Sequence, residues 1–289
     1  MNYLRVTTTE RESGALSTQH LHYAVRCVLD DGFVVVTNAV SKSSIDALNN
    51  RMLEDLPKIV GRSDAPYNWN ISNVQHDPPP FSPYLFRDIL FNEFAIAITS
   101  QILGPGVKNG YYSGNTALKS GGSRQPVHAD IGQLWSDLPV ATPPFALVVN
   151  IPLVDIAAEN GSTELWPGTH LDTSVSVPGG DLKVPPERLE ITRSFSPPFQ
   201  PDIPVGSFII RDIRMWHAGM PNHTDIPRVM LAMIHQVSWW NEIDAPQFLN
   251  ADRAFFNHPN LRTAAQFVDG PIDYINRSMS YDYKPEKSI

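Results

Sequence analysis

Two residues separated by a single position, His128 and Asp130, have the types and spacing of metal ligands. Alternate side chains of an extended strand lie on one face, so both can bind the same ion. A third candidate, His217, lies about 90 residues further along in Trp216-His217-Ala218-Gly219. Two imidazoles and one carboxylate leave three octahedral positions open, which suits Fe(II) binding a 2-oxoacid and dioxygen better than a closed structural zinc site. We therefore predict that His128, Asp130 and His217 hold iron.

Arg228 is the candidate for binding a cosubstrate. It lies eleven residues after His217 and begins the apolar run at 229–234. If the histidine ends one strand and the arginine begins the next, the guanidinium points back into a barrel, where it needs an anionic partner. Its planar fork matches a carboxylate, and we interpret that carboxylate as the far end of 2-oxoglutarate. The competing interpretation is an ion pair with Asp212 or Asp225.

The elements that position these residues begin at about residue 108. Runs with strand composition occur at Phe145–Leu153, Gly206–Asp212 and Val229–Val237, and clusters of Asn, Gly and Pro separate them. Repeated short strands of this kind are typical of a barrel or a jelly roll. We therefore expect a mainly β core with flanking helices, in a single catalytic domain over 1–289.

The ends of the chain are expected to decorate this core. Residues 1–107 read as mostly helical: a helix around His20–Leu29 leads into a strand-like apolar run, and an amphipathic helix follows that we expect to end at Pro57. Residues 241–289 are weakly patterned and are expected to pack on the core as an appendage.

Composition excludes several classes of partner. The net charge is −8 and the sequence pI is near 5.5, and no stripe of Lys and Arg offers a nucleic-acid surface. The single cysteine, Cys27, cannot form an intramolecular disulfide, which favours a reducing compartment. Without an apolar stretch of membrane-spanning length, we expect a soluble, cytoplasmic protein with no membrane partner.

Three motifs together resemble the phytanoyl-CoA dioxygenase (PhyH) family. They are His128-Ala129-Asp130, the run ENGSTELWPGTH at Glu159–His170, and Trp216–Asn222 followed by Arg228. The resemblance spans about residues 108–240. It implies a double-stranded β-helix there, with Fe(II), 2-oxoglutarate and dioxygen as cofactors. It also assigns the same three residues to iron and the arginine to 2-oxoglutarate.

Comparison with particular members of the superfamily implies two further cosubstrate contacts and argues against one activity. Resemblance to the fungal alkaloid and meroterpenoid oxygenases implies that Gln125 and Thr163 also contact the cosubstrate. Halogenases of similar sequence replace the metal-binding carboxylate by Ala or Gly, whereas Asp130 is retained here. Halogenation is therefore disfavoured.

The resemblance implies oxidation of an unactivated C–H bond, by hydroxylation, desaturation or a related outcome, with release of succinate and carbon dioxide. An acyl-CoA would need basic residues for its phosphates, so we expect a small, largely apolar secondary metabolite as substrate. The candidate substrate contacts are Asn73, Tyr112, Gln133 and Trp135.

Two other function classes use the same core. A cupin-like metal-dependent hydrolase or isomerase would use the three ligands for a zinc-bound water and would not need Arg228. A non-catalytic barrel binding module would have weak metal binding or none. The poorly patterned segment after 241 also leaves a homodimer open, because it could cover a neighbouring subunit.

Overall fold

Short strands in one large sheet and two small ones position the site. The computed structural model describes residues 2–135, 137–175, 182–241 and 245–281. The strands of this part are β1 (Tyr3–Arg5), β2 (Phe33–Thr37), β3 (Asn73–Gln75), β4 (Lys108–Ala117), β5 (Ala146–Pro152), β6 (Glu164–Leu165), β7 (Phe208–Asp212), β8 (His217–Ala218), β9 (Arg228–Gln236), β10 (Gln247–Leu249), β11 (Arg262–Thr263) and β12 (Gln266–Val268).

The large sheet has the order β1-β2-β7-β5-β9-β4-β11, with β3 beside β4. The pairs β1–β2 and β4–β11 are parallel, and the other pairs are antiparallel. Neighbours such as β2 with β7 and β5 with β9 are far apart in sequence, as rolling up a β-sheet requires. The predicted mainly β core with flanking helices is confirmed.

A smaller sheet packs across the large one. β6 pairs with β8, and the backbone of His128 bridges both His217 in β8 and Lys183. Apolar side chains from the two layers meet in one cluster: Phe33, Val35, Ile156, Leu165, Ile203, Ile209 and Met215. This cluster fixes the separation between the large sheet and the strands that carry the predicted metal ligands.

Helices flank both layers of strands. They are α1 (Thr8–Ser13), α2 (Thr18–Asp31), α3 (Lys42–Val60), α4 (Arg87–Leu90), α5 (Glu93–Leu103) and α6 (Pro186–Phe195). The side chains of Ser17, Ser41 and Asn92 cap α2, α3 and α5 by accepting backbone N–H groups of the first turn. Buried apolar residues of α2, α3 and α5 join those of the sheet in the main core.

One helix runs further than expected. α3 continues through Pro57 to Val60, so the predicted end at Pro57 is wrong. Proline removes one helical hydrogen bond. Leu56 and Ile59 on either side of it are buried, and this burial favours continuing the helix.

β9 separates the helix-covered core from an internal cavity. Its residues alternate between the two sides, as the pleat of a strand requires. Val229, Leu231 and Met233 belong to the main core. Arg228, Met230, Ala232 and Ile234 line the cavity. The polar and reactive side chains of the site therefore lie inside the roll, opposite the helices.

Both ends of the chain contribute to sheets. β1, β2 and β3 come from the first 107 residues, and β11 pairs with β4 from beyond residue 240. The hydrogen bonds of one sheet thus cross both of the boundaries that we expected, near residues 107 and 240. The division of the chain at these residues stays a prediction. Among the described residues, no helix is long and apolar enough to span a membrane.

Candidate metal centre and cosubstrate cavity

His128 and His217 are direct partners across two strands. The N–H of His128 donates to the carbonyl of His217 at 3.0 Å, and the reverse bond measures 2.9 Å. Residues paired in this way project their side chains on the same face. The two ring centroids are accordingly 4.4 Å apart.

Asp130 completes a group that could hold a metal. Single ligand atoms of His128, Asp130 and His217 all lie within 4.8 Å of one another, and no other such group occurs in the described parts of the chain. Asp130 Oδ1 is 3.9 Å from His128 Nε2 and 3.4 Å from His217 Nε2. His128 and Asp130 do not lie on the extended strand that we expected, because only His128 makes an isolated bridge and Asp130 is at a bend. A two-residue spacing and one backbone pairing with β8 nevertheless bring the three candidate ligands together.

Backbone carbonyls orient both imidazoles. His128 Nδ1 lies 2.9 Å from the carbonyl of Pro126, and His217 Nδ1 lies 3.0 Å from that of Met215. With the proton on Nδ1, the lone pair of each Nε2 points to the shared centre, as metal ligation requires. Burial, followed by the neighbouring His217, lowers the pKa of His128 to about 4. The ring is therefore neutral and available as a ligand at neutral pH.

A guanidinium holds the carboxylate in place. Arg211 in β7 donates from Nη2 to Asp130 Oδ2, which leaves Oδ1 facing the two histidines. Burial alone would raise the pKa of Asp130, but Arg211 and His217 hold it well below its usual range. Arg211 Nη1 is buried without a hydrogen-bond partner among the described residues. The centre thus combines an ionised carboxylate with the neutral imidazole of His128.

Arg228 is only 2% exposed and faces the same cavity. Its Nη2 donates to the carbonyl of Gly161 at 3.2 Å, whereas Nε and Nη1 have no partner in the described part of the chain. Burial lowers the pKa of Arg228 to about 10. The acids of the competing interpretation are engaged elsewhere, Asp212 by Arg214 and Asp225 by Lys119. A carboxylate supplies the acceptor oxygens that these two unsatisfied nitrogens lack.

The cavity has a volume of about 840 Å³. It brings together all six predicted iron and cosubstrate residues: Gln125, His128, Asp130, Thr163, His217 and Arg228. Gln125 Oε1 accepts the backbone N–H of Gly219 at 2.7 Å. A Cβ at Gly219 would lie 2.7 Å from the same oxygen, so a larger residue there would displace the Gln125 amide.

A family model for phytanoyl-CoA dioxygenase (PhyH) matches residues 28–230. The chain belongs to the PhyH family. It is accordingly an Fe(II)- and 2-oxoglutarate-dependent oxidoreductase that uses dioxygen, as the motifs predicted. The match begins within α2 and includes every predicted iron and cosubstrate residue.

Solved structures of the same architecture confirm the jelly-roll fold. AviO1 from Streptomyces viridochromogenes Tue57 is 19% identical over 80% of this chain and all of that chain, with a TM-score of 0.56. The non-haem α-ketoglutarate-dependent epimerase SnoN from nogalamycin biosynthesis is 16% identical over 76% of this chain and 84% of its own, with a TM-score of 0.57. SnoN has also been solved with Fe3+, α-ketoglutarate and nogalamycin RO.

The predicted substrate contacts of this PhyH protein lie in different places. Tyr112 borders the cavity, but it is only 4% exposed and its ring stacks on Phe248. Asn73, Gln133 and Trp135 are outside the cavity lining. Gln133 bonds the carbonyl of His170 and the guanidinium of Arg214, and Trp135 is 54% exposed.

Arg211 and Trp69 are among the cavity residues that the sequence reasoning missed. Both line the cavity with the predicted metal ligands. The ring of Trp69 lies 5.3 Å from that of His128, and Trp69 has a φ of 68°, which is rare for a bulky residue. The charged pair Arg211-Asp212 inside an otherwise apolar strand was a usable signal. Nothing in the local sequence of Trp69 indicates its position.

A C-terminal segment closes one side of the cavity. Tyr281 exchanges backbone hydrogen bonds with the segment around Trp69, donating to the carbonyl of Tyr67 and accepting from the N–H of Trp69, both at 3.0 Å. Arg277, Ser278 and Met279 line the cavity together with Tyr281. The appendage expected after residue 241 therefore includes a wall of the site.

Proposed function

We propose that this PhyH enzyme oxidises an unactivated C–H bond of a small molecule, with His128, Asp130 and His217 holding Fe(II) and Arg228 binding the far carboxylate of 2-oxoglutarate. The observation that carries the proposal is that three converging ligand atoms share one cavity with a buried guanidinium, two of whose nitrogens have no hydrogen-bond partner in the described part of the chain. Three ligands on one side leave positions for a bidentate 2-oxoacid and for dioxygen.

The chain's own residues supply position and a dry environment. Bound iron with 2-oxoglutarate and dioxygen supplies an oxidant for C–H bonds, with succinate and carbon dioxide as co-products. Pro126 and Met215 carbonyls orient the imidazoles, and Arg211 keeps one oxygen of Asp130 turned towards the centre. Gln125 and Thr163 border the same cavity and are proposed to assist Arg228 with the cosubstrate.

The substrate and the reaction outcome are the finer parts of the proposal. A cavity of about 840 Å³ suits a small natural product. Structural neighbours include an epimerase and the carbocyclase SnoK, both from nogalamycin biosynthesis; SnoK is 19% identical over 77% of this chain and 84% of its own, with a TM-score of 0.52. Hydroxylation or desaturation of a secondary metabolite is our proposal for this chain.

The proposal also covers the partners, the cellular compartment and the oligomeric state of the enzyme. The net charge of −8 argues against a nucleic-acid partner, and one buried cysteine, Cys27, suits a reducing cytoplasm. A homodimer stays a prediction, and light scattering of the purified protein would measure the oligomeric state.

The alternatives use the centre but not the guanidinium. A hydrolase or isomerase needs metal-bound water and no carboxylate-binding arginine. A binding module needs neither the converging ligands nor the carbonyls that orient them. The unsatisfied Nε and Nη1 of Arg228 favour the oxygenase over both.

The deciding experiment is anaerobic reconstitution with Fe(II) followed by titration with 2-oxoglutarate. A chelated 2-oxoacid gives a weak visible charge-transfer band, which we expect to saturate in the wild type and to be absent in His217→Ala. His223→Ala, which alters a histidine outside the cavity lining, is the matched control and should keep the band. Bound iron without a band in the wild type would favour the hydrolase or the binding module.

A further inference from the structure

A hydrogen-bonded set of side chains forms one wall of the cavity. We call it the polar wall, and it consists of Gln75, Asp77, Tyr111 and Ser113. Gln75 Nε2 donates to the Tyr111 hydroxyl at 2.8 Å and to Ser113 Oγ at 2.5 Å. Ser113 in turn donates to Asp77 Oδ1. These bonds fix the orientation of every member before any ligand binds.

The polar wall lies away from the guanidinium proposed to bind the cosubstrate. In the β4–β9 pairing, Arg228 is opposite Ala117, and Ser113 is opposite Ala232. The two levels are four residues apart, or about 13 Å along the strands. Arg228 therefore serves one end of the cavity and the polar wall serves the other.

The polar wall nevertheless shares one cavity with the candidate metal centre. Its four side chains line the same cavity of about 840 Å³ as His128, Asp130 and His217. A group bound at the polar wall would therefore lie in the space that the metal centre faces.

The chemistry of the polar wall selects its ligand. Asp77 is an acceptor with capacity for about four hydrogen bonds, and the phenol of Tyr111 both donates and accepts. A hydrocarbon would strip water from these groups without replacing its hydrogen bonds. A fully ionised anion offers no proton to the carboxylate of Asp77, whereas an ammonium only donates and offers no acceptor to the phenol. A hydroxyl group donates and accepts, so it can serve both.

We propose that the polar wall binds a hydroxyl-bearing portion of the substrate, such as a sugar or a cyclic polyol, and holds it in the cavity that the metal centre faces. This inference rests on the proposed function. It replaces the expectation of a largely apolar substrate with a substrate that has one hydroxyl-bearing part and one apolar part. Val148, Ile213 and Met230 line other parts of the cavity and are available to an apolar remainder.

A matched pair of probes tests the inference. Hexyl β-D-glucopyranoside and 2-hexyloxytetrahydropyran share a ring and an alkyl chain, but only the first carries free hydroxyls. Their dissociation constants would be measured anaerobically with the protein loaded with Fe(II) and 2-oxoglutarate, and by calorimetry with the iron-free protein. We expect the glucoside to bind at least about tenfold more tightly, because a site built for hydroxyls rejects analogues that lack them.

Variants locate the preference on the polar wall. Asp77→Leu and Tyr111→Phe should each reduce the preference for the glucoside, while Tyr23→Phe, which alters a phenol on α2, should leave it unchanged. Equal binding of the two probes, tighter binding of hexylamine, or an unaltered preference in both wall variants would overturn the inference.

The two proposals fail separately. The charge-transfer band with 2-oxoglutarate is recorded before a probe is added. If the band is absent but calorimetry still shows a preference for the glucoside, the proposed iron chemistry is wrong and the proposal for the polar wall stands. If the band is normal and the glucoside is not preferred, only the proposal for the polar wall is wrong.

Discussion

Arg211 donates from Nη2 to Oδ2 of Asp130, so that only Oδ1 of this carboxylate faces His128 and His217. Residues that hydrogen-bond a metal ligand orient it and tune its basicity. The guanidinium comes from the large sheet and the carboxylate from the layer opposite. This contact therefore links the position of the metal centre to the packing of the two layers.

Replacing Arg211 should weaken metal binding. We expect Arg211→Leu to lower the affinity for Fe(II) by about 10–100-fold, because the loss of such a supporting contact frees the ligand to rotate. Arg211→Lys keeps the charge without the planar fork and should have an intermediate effect. Anaerobic equilibrium dialysis measures the dissociation constant. Arg193→Leu on α6 is the control, and an unchanged affinity in Arg211→Leu would contradict the role.

Arg228 should distinguish cosubstrates by their far carboxylate. Truncating one partner of a buried charge pair costs about 2–5 kcal/mol, so Arg228→Ala should weaken 2-oxoglutarate binding by roughly 30-fold or more. 2-Oxobutyrate lacks the far carboxylate and should bind wild type and Arg228→Ala equally. Titration of the charge-transfer band with both acids measures this. If both acids weaken to the same extent, the arginine supports the metal centre rather than the far carboxylate.

Local spacing explains which parts of the site could be predicted. The side chains of His128 and Asp130 converge as their two-residue spacing predicted, although the two residues lie in a loop with one isolated bridge and not in a strand. Arg228 begins a strand whose alternate residues face the cavity. These arguments need only local spacing. The pairing of His128 with His217 then follows from the sheet, which the repeated strand composition indicated.

The inward-facing side of β4 could not be predicted, because the local sequence does not distinguish the two faces of this strand. Tyr111 and Ser113 are two residues apart and both belong to the polar wall, whereas the ring of Tyr112 packs on Phe248. Arg211 meets an aspartate 81 residues away, a separation that no local pattern indicates.

Two buried histidines should make the fold sensitive to acid. Burial lowers the pKa of His76 to about 4 and that of His235 to about 3, whereas both titrate near 6.5 when unfolded. Between these values the unfolded state binds more protons, so stability rises with pH and falls as the pH drops below about 6.5. Each histidine contributes about 1.4 kcal/mol per pH unit.

Urea unfolding at pH 7 and pH 5 measures this dependence. His235→Asn should reduce the loss of stability between the two pH values, even if it lowers stability at both. His22→Asn, on α2, is the control because it should leave the pH dependence unchanged. A dependence identical in wild type and His235→Asn would show that other groups control the response to acid.

Trp69 should shield the metal centre from water, although its left-handed backbone conformation lowers the stability of the fold. Its ring lies beside His128, Lys183 packs over it at 4.8 Å, and its φ is 68°. Left-handed backbone costs a bulky residue about 1–2 kcal/mol, and glycine avoids this cost. Trp69→Gly should therefore lose little stability in urea while a chelator removes bound Fe(II) several-fold faster, because water reaches the ligands. Trp239→Gly, at a tryptophan that is 64% exposed, should leave the rate of iron loss unchanged. An unchanged rate in Trp69→Gly would mean that the ring does not limit access to the metal.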